Sequence, residues 1–231
     1  MIFNGIEKDY MRVNMELFRP PTPPIEFQTS EMSRGGSRTS RKRFTDMILP
    51  VPITIDSDRA IEHLKEEISG WLYHAEPKKL IFKQIPDRYY LAEYESMELN
   101  EKYKYAKGVI NFYLAEAYRF GKSNTLDLTP TMNIFEIKGQ IGTPWTTRTV
   151  FTVPQSRFTI EAENGLYVLL NYNFVAGDVL EVGYYKREVK LNGRNLVASV
   201  SMSSVWKQLE VGYLNIKSSA NSTLRYDERY L

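Results

Sequence analysis

Apolar and polar positions alternate most clearly between Val175 and Val197. Leu180, Val182 and Tyr184 share one face of a strand there, with Glu181 on the other. Val189 and Leu191 repeat the alternation against Glu188 and Lys190, so Tyr185–Arg187 must reverse the chain. Gly177-Asp178 opens this stretch as a turn and Asn192-Gly193 closes its second strand. Asn-Gly is a strong hairpin signal, because a type I′ turn needs positive φ at both central residues. These are strands of an antiparallel sheet with one buried face.

Helical spacing shows in one place. Ile61, Leu64, Ile68 and Trp71/Leu72 predict an amphipathic helix over Arg59–Tyr73, with Asp56-Ser57-Asp58 offering caps and Pro77 stopping it. Strands are expected at Lys79–Lys83, Tyr89–Tyr94 and Lys107–Ala115, with Pro86-Asp87 turning between the first two, and a short strand with a turn at Phe3–Ile6. Gly121–Pro130 is small, polar and turn-rich, and reads as the boundary between two domains, 1–126 and 127–231. Beyond it come short strands with turns at Asn164-Gly165, Gly177-Asp178 and Asn192-Gly193, the spacing of a β-sandwich. The fold class expected is mainly β with one flanking helix.

Two segments break the pattern. Pro20, Pro21, Pro23 and Pro24 make a stiff, extended connector. Ser33–Arg43 then carries five cations (Arg34, Arg38, Arg41, Lys42 and Arg43) with no acid and nothing apolar to bury, so alone it should be mobile. The prolines of Met47–Ile55 confine that stretch to an edge strand. Together these residues, about 28–50, form a long arm with a basic tip, and its five cations are candidate subunit-interface residues.

Composition narrows the chemistry. The 231 residues carry a net charge of +2, too near neutral to draw the chain as a whole to nucleic acid or an acidic membrane. Cysteine is absent, which removes disulfides, thiolate nucleophiles and sulfur-ligated metal. His63 and His74 sit at no metal spacing and read as structural or exposed, and no phosphate-cradling glycine motif occurs. Glu93, Glu95, Glu98 and Glu101 read as one solvated face rather than an acid–base pair. No catalytic, cofactor or metal residue is expected, and the chain is not expected to be an enzyme. The acids near the N-terminus differ from an export signal, and no apolar run is long enough for a bilayer, so synthesis in a cytosol is expected. Among the tryptophans, Trp206 is expected in the core, while Trp145 is either core or a sugar- or partner-contacting ring.

In order along the chain, Trp71-Leu72, Lys79–Phe82, Ile85-Pro-Asp-Arg-Tyr-Tyr-Leu-Ala92, Gly108–Phe112 and Tyr118–Phe120 resemble the distal tail (Dit) proteins of long-tailed, non-contractile phages. The resemblance continues through Ala176–Leu180, Val189–Gly193, Leu209–Ile216 and the closing Leu224–Leu231. It implies an N-terminal ring-forming β-sandwich, a C-terminal galectin-like sandwich, and six copies closing a homo-hexameric ring at the virion tail tip, made in the host cytoplasm. The implied partners are the tail tube protein, the tail-tip protein and receptor-binding components, with no specific nucleic acid and no membrane. It implies no catalytic residue and no cofactor. The alternative is a carbohydrate-binding protein acting through the second sandwich.

Overall fold

The computed structural model describes residues 1–231 and divides into two compact units, Met1–Phe120 with Leu231, and Gly121–Tyr230. The first contains β1 (Ile2–Phe3), β2 (Met11–Val13), β3 (Ile25–Glu31), β4 (Ser37–Phe44), β5 (Met47–Asp56), α1 (Ile61–Leu72), β6 (Lys78–Ile81), β7 (Tyr89–Glu101) and β8 (Tyr105–Leu114). β7 is the long element: Tyr89–Ala92 pair with β6, and Glu93–Glu101 pair with β8. β8 continues to β5 and β5 to β2, all antiparallel. The core is the meeting of these strands with α1, through Leu49, Val51, Ile53, Ile55, Phe112 and Leu80 against Ile61, Leu64, Ile68, Trp71 and Leu72.

The helix forms where its apolar residues recur at 3.6-residue spacing, and the five expected positions are its buried face. Its start differs from expectation. Ala60 stands at the N-cap with no side-chain bond, and Ser57 Oγ accepts instead from Arg59 N at 3.1 Å. The Ile61 N–H donates to the carbonyl of Tyr103 at 3.0 Å, so the loop between β7 and β8 supplies the acceptor that an Asp cap would have been.

β5 is an edge strand only in part. Pro52 accepts from Asn14 N at 2.9 Å, and β2 then covers Ile53–Ile55. Backbone N and O of one strand residue point the same way, so the missing proline N–H faces that thinly covered edge and not the β8 ladder.

β9 (Arg119–Leu128) is a strand where the sequence suggests a linker. Its polar residues are hydrogen-bonded: Asn124 Nδ2 donates to Glu228 Oε1 at 3.1 Å, and Ser123 to Asp227, while Leu128 is buried. A strand with one solvated face needs only alternate apolar residues, and small polar ones suffice where side chains pair. Gly121–Leu126 accordingly fall in the second unit, not the first.

The second unit adds β10 (Asn133–Ile137), β11 (Trp145–Val150), β12 (Gln155–Ala162), β13 (Tyr167–Phe174), β14 (Val179–Gly183), β15 (Glu188–Leu191), β16 (Arg194–Asn195), β17 (Gly212–Ser218) and β18 (Ser222–Tyr230). One sheet runs β16-β15-β14-β11-β18-β9 and the other β10-β17-β12-β13. Leu180, Val182, Val189 and Leu224 from the first meet Phe158, Ile160, Val168, Leu170 and Ile216 from the second in one core. The hairpins stand as read: Leu180 opposes Leu191, and Asn192 and Gly193 turn with φ of 50° and 78°. No helix is long and apolar enough to cross a membrane.

Candidate assembly surface

The arm is a β-hairpin. β3 and β4 pair antiparallel from Ile25 opposite Phe44 to Glu31 opposite Ser37 and form a two-stranded sheet of their own. Gly35 and Gly36, both at φ 86°, allow the reversal, and Met32 N donates to Gly36 O at 3.0 Å. Thr45 N donates to Pro24 O at 3.0 Å, closing the base where the proline run ends. Ser33–Arg43 therefore takes the turn and second strand of this hairpin. Every residue of both strands is exposed except Ile25, which is half-buried.

One irregularity sorts the cations. Gln28 opposes Arg41, but Thr29 opposes Thr39, leaving Ser40 as the bulged residue with its Oγ on Gln28 O at 3.0 Å. The extra residue shifts the alternation, so Arg38 falls on the same face as Arg41 and Arg43, beside Ser30, Gln28 and Glu26. Arg43 Nε donates to Glu26 Oε2 at 2.6 Å, while Arg38 and Arg41 have no acidic partner. Lys42 lies on the other face with its ammonium 5.8 Å from the Phe27 ring centroid, among Ile25, Phe27 and Phe44. Arg34 sits in the turn. Three of the five predicted residues thus share a face. Phe27 and Met32, exposed apolar residues of the same hairpin, were missed because they stand singly in a polar sequence.

The glutamate run divides in the same way. A bulge at Glu95 lets Glu93 and Glu98, opposite Tyr113 and Val109, share one face, while Glu101 opposes buried Ala106 and pairs with Lys65 of α1 at 3.2 Å. It is not a single face. Glu67 of α1 takes Lys8 and Arg59 at 2.7 Å each and the Tyr10 hydroxyl at 3.1 Å, and these donors hold its carboxyl down at about 2. That is a clamp on the N-terminal segment, not a proton donor. His74 Nε2 lies 3.1 Å from Trp71 O, and its ring lies against Phe3.

Trp145 is corrected to core. It is 1% exposed, its Nε1 donates to Lys207 O at 3.0 Å, and its ring stacks on Trp206 at 6.0 Å. No open ring face is left for a sugar. Trp206, expected in the core, is the outer, half-buried member of the stack.

Comparison with known proteins accounts for both units. Residues 7–114 match the model of a phage tail protein RIFT-related domain, and residues 138–230 that of the C-terminal domain of siphovirus-type tail components. Between them the models span most of the chain and define a phage tail component. The distal tail protein of Bacillus phage SPP1 is 28% identical over 183 residues, covering 76% of this chain and 70% of its own. The crystal structure of SPP1 Dit superimposes with a TM-score of 0.86 at 20% identity, over 100% of this chain and 98% of that one. A chain of the phage P2 baseplate in its activated, calcium-bound conformation gives 0.53 at 8% identity, over 95% and 90% of the two chains. The protein belongs to the distal tail protein family and is a structural component of the virion tail.

Proposed function

We propose that six copies close a ring that joins the tail tube to the tail-tip protein and carries receptor-binding components, the first unit forming the ring and the second being galectin-like in plan. The SPP1 relative is described as a hub of the adsorption apparatus in phages infecting Gram-positive hosts, which fits this reading. The carrying observation is the β3–β4 hairpin, formed but unsupported by its own chain. An isolated two-stranded hairpin is marginal in water. A cyclic ring needs a heterologous contact, in which one surface of a subunit meets a different surface of the next, and a free-standing hairpin supplies the first. Arg38, Arg41 and Arg43 form its cationic face, Lys42 and Phe27 its other face, and Arg34 its tip. Glu93 and Glu98 of a neighbour offer counter-charges suited to arginine's planar fork.

The triple variant Arg38→Glu, Arg41→Glu, Arg43→Glu tests this. Light scattering should give the parent the mass of a hexamer and the variant that of a monomer, with the same far-UV circular dichroism, so that each domain's fold is intact. High salt should move the parent the same way. Full-sized variant rings at low concentration would remove the hairpin from the interface. Duplex-DNA binding by the parent, lost in the variant, would make the face a nucleic-acid grip instead.

A further inference from the structure

The solvent face of the second unit's larger sheet carries a groove of about 260 Å³, lined by Thr146, Arg148, Glu181, Gly183, Thr223 and Arg225 with the Glu188–Lys190 pair at its rim. We propose that this groove binds a carboxylate, the acidic side chain of an extended segment of another protein. The proposal does not rest on ring formation.

Register builds the site. Lys190, Glu181, Arg148 and Thr223 stand directly opposite one another in turn across four strands. Glu188, Gly183, Thr146 and Arg225 form the adjacent row. Gly183 contributes no side chain, so the second row has a hole in it, and that hole is the floor of the groove. Opposite charges facing each other across strands ordinarily pair. Here none does: Lys190 instead takes Glu188 of its own strand at 2.6 Å. Glu181 faces both Arg148 and Lys190 yet lies within ion-pair distance of neither, and Arg148, Arg225 and Glu181 make no hydrogen bond or ion pair.

Two free guanidinium groups therefore stand against one free carboxylate. Arg148 and Arg225 are diagonal neighbours on adjacent strands, a separation of about 7–8 Å at the backbone that a single carboxylate bridges between two long side chains. The other wall selects among anions. Glu181 and Glu188 repel a doubly charged phosphate more than a singly charged carboxylate, and Glu181 accepts from the N–H of a peptide carrying that carboxylate. Size and lining argue against a free sugar or cofactor. The volume falls below the roughly 300–1,000 Å³ of small-molecule sites, and no aromatic ring lines the groove.

Calorimetric titration of the full chain with N-acetyl-Gly-Glu-Gly-amide, its Gln counterpart and inorganic phosphate tests the proposal. The Glu peptide should bind weakly and the Gln peptide at least tenfold more weakly. Arg225→Gln and Arg148→Gln should each lower the Glu-peptide affinity about tenfold or more, the effect of losing a charge-assisted contact. Gly183→Leu should abolish binding with every charge in place. Gly183 has no positive φ, and a Cβ there would sit 3.9 Å from Glu188 and Thr146, so the leucine fills the groove without strain. Unchanged unfolding midpoints in all three variants separate loss of the site from loss of fold. Equal heats for the Glu and Gln peptides, or arginine variants that bind like the parent, would overturn the proposal. Phosphate displacing the Glu peptide at lower concentration would replace the carboxylate with a phosphate-bearing ligand.

Discussion

The chain builds hairpins in two settings. The one joining β14 and β15 buries Leu180, Val182 and Val189 at 0–1% exposure, each pressed against the opposing sheet. The one joining β3 and β4 buries nothing fully and leaves Phe27 54% exposed. Both use turns with positive φ, and both complete their ladders. Their backbone chemistry is therefore the same, and the difference lies in what the side chains meet. A hairpin over a core belongs to the cooperative unit that unfolds at the global midpoint. A hairpin over solvent opens locally at a fraction of that free energy.

The largest expected effect follows directly. Leu180→Ala should destabilise the protein by about 2–5 kcal/mol, since the buried methyls are lost and a cavity is left. Phe27→Ala, removing a larger side chain, should stay within about 0.5 kcal/mol in the isolated subunit. Denaturant midpoints for the two variants check this. A Phe27→Ala loss comparable to Leu180→Ala would mean that the arm packs on its own body.

Next in size is the β15–β16 turn. Gly193→Val should cost about 1–3 kcal/mol, because a β-branched residue resists a φ of 78°. Open space surrounds Gly193, so backbone strain is the whole effect. Gly193→Asn, which tolerates that region, should recover part of the loss. Equal midpoints for Val and Asn would show the turn adopting another conformation.

The Glu67 clamp is a smaller term. Its carboxyl is lowered from 4.5 to about 2 by Lys8 and Arg59, and then by Tyr10. A depressed carboxylate contributes stability that is fully present above its unfolded value of 4.5 and is lost as pH falls toward 2. The side chain is 36% exposed, so solvent screening holds the contribution to about 1 kcal/mol. Glu67→Gln should cost that much at pH 7 and almost nothing at pH 2. A constant difference across that window would assign the effect to packing.

Legibility in the sequence follows the same division. The helix and the β14–β16 hairpins could be read because a buried face imposes a period, 3.6 or 2, on the residues that make it. The Ser40 and Glu95 bulges could not, since a bulge is a property of two paired strands and neither partner's sequence marks it. Their consequences reach the candidate interface: one bulge gathers Arg38 with Arg41 and Arg43, and the other brings Glu98 to the face of Glu93 and takes Glu101 off it. The missing helix cap is of the same kind, a carbonyl supplied by Tyr103, far along the chain. Trp145 and Trp206 were equally apolar on paper. Strand β11 buries Trp145 with Thr147 and Thr149 on its inward face, and the Lys207 carbonyl accepts from the indole there.

The smallest expected effect on stability is at the hairpin tip. Gly35 and Gly36 both stand at φ 86°, close to Gly193, and a Cβ would meet nothing at Gly35 and only the Met32 methyl, at 3.7 Å, at Gly36. The double change Gly35→Val, Gly36→Val therefore strains two residues where Gly193→Val strains one. If backbone strain alone set stability, it should cost more. If strain counts only where the strained turn is tied to a core, it should leave the global midpoint unmoved, because the hairpin opens and releases the strain without exposing buried surface. We expect the second outcome: a midpoint within about 1 °C of the parent, and faster tryptic cleavage at Arg34 and Arg38 in the unassembled subunit. Cleavage that tracks the local opening equilibrium should slow again when subunits assemble. A midpoint lowered as far as in Gly193→Val would place the β3–β4 hairpin inside the cooperative unit of its own chain.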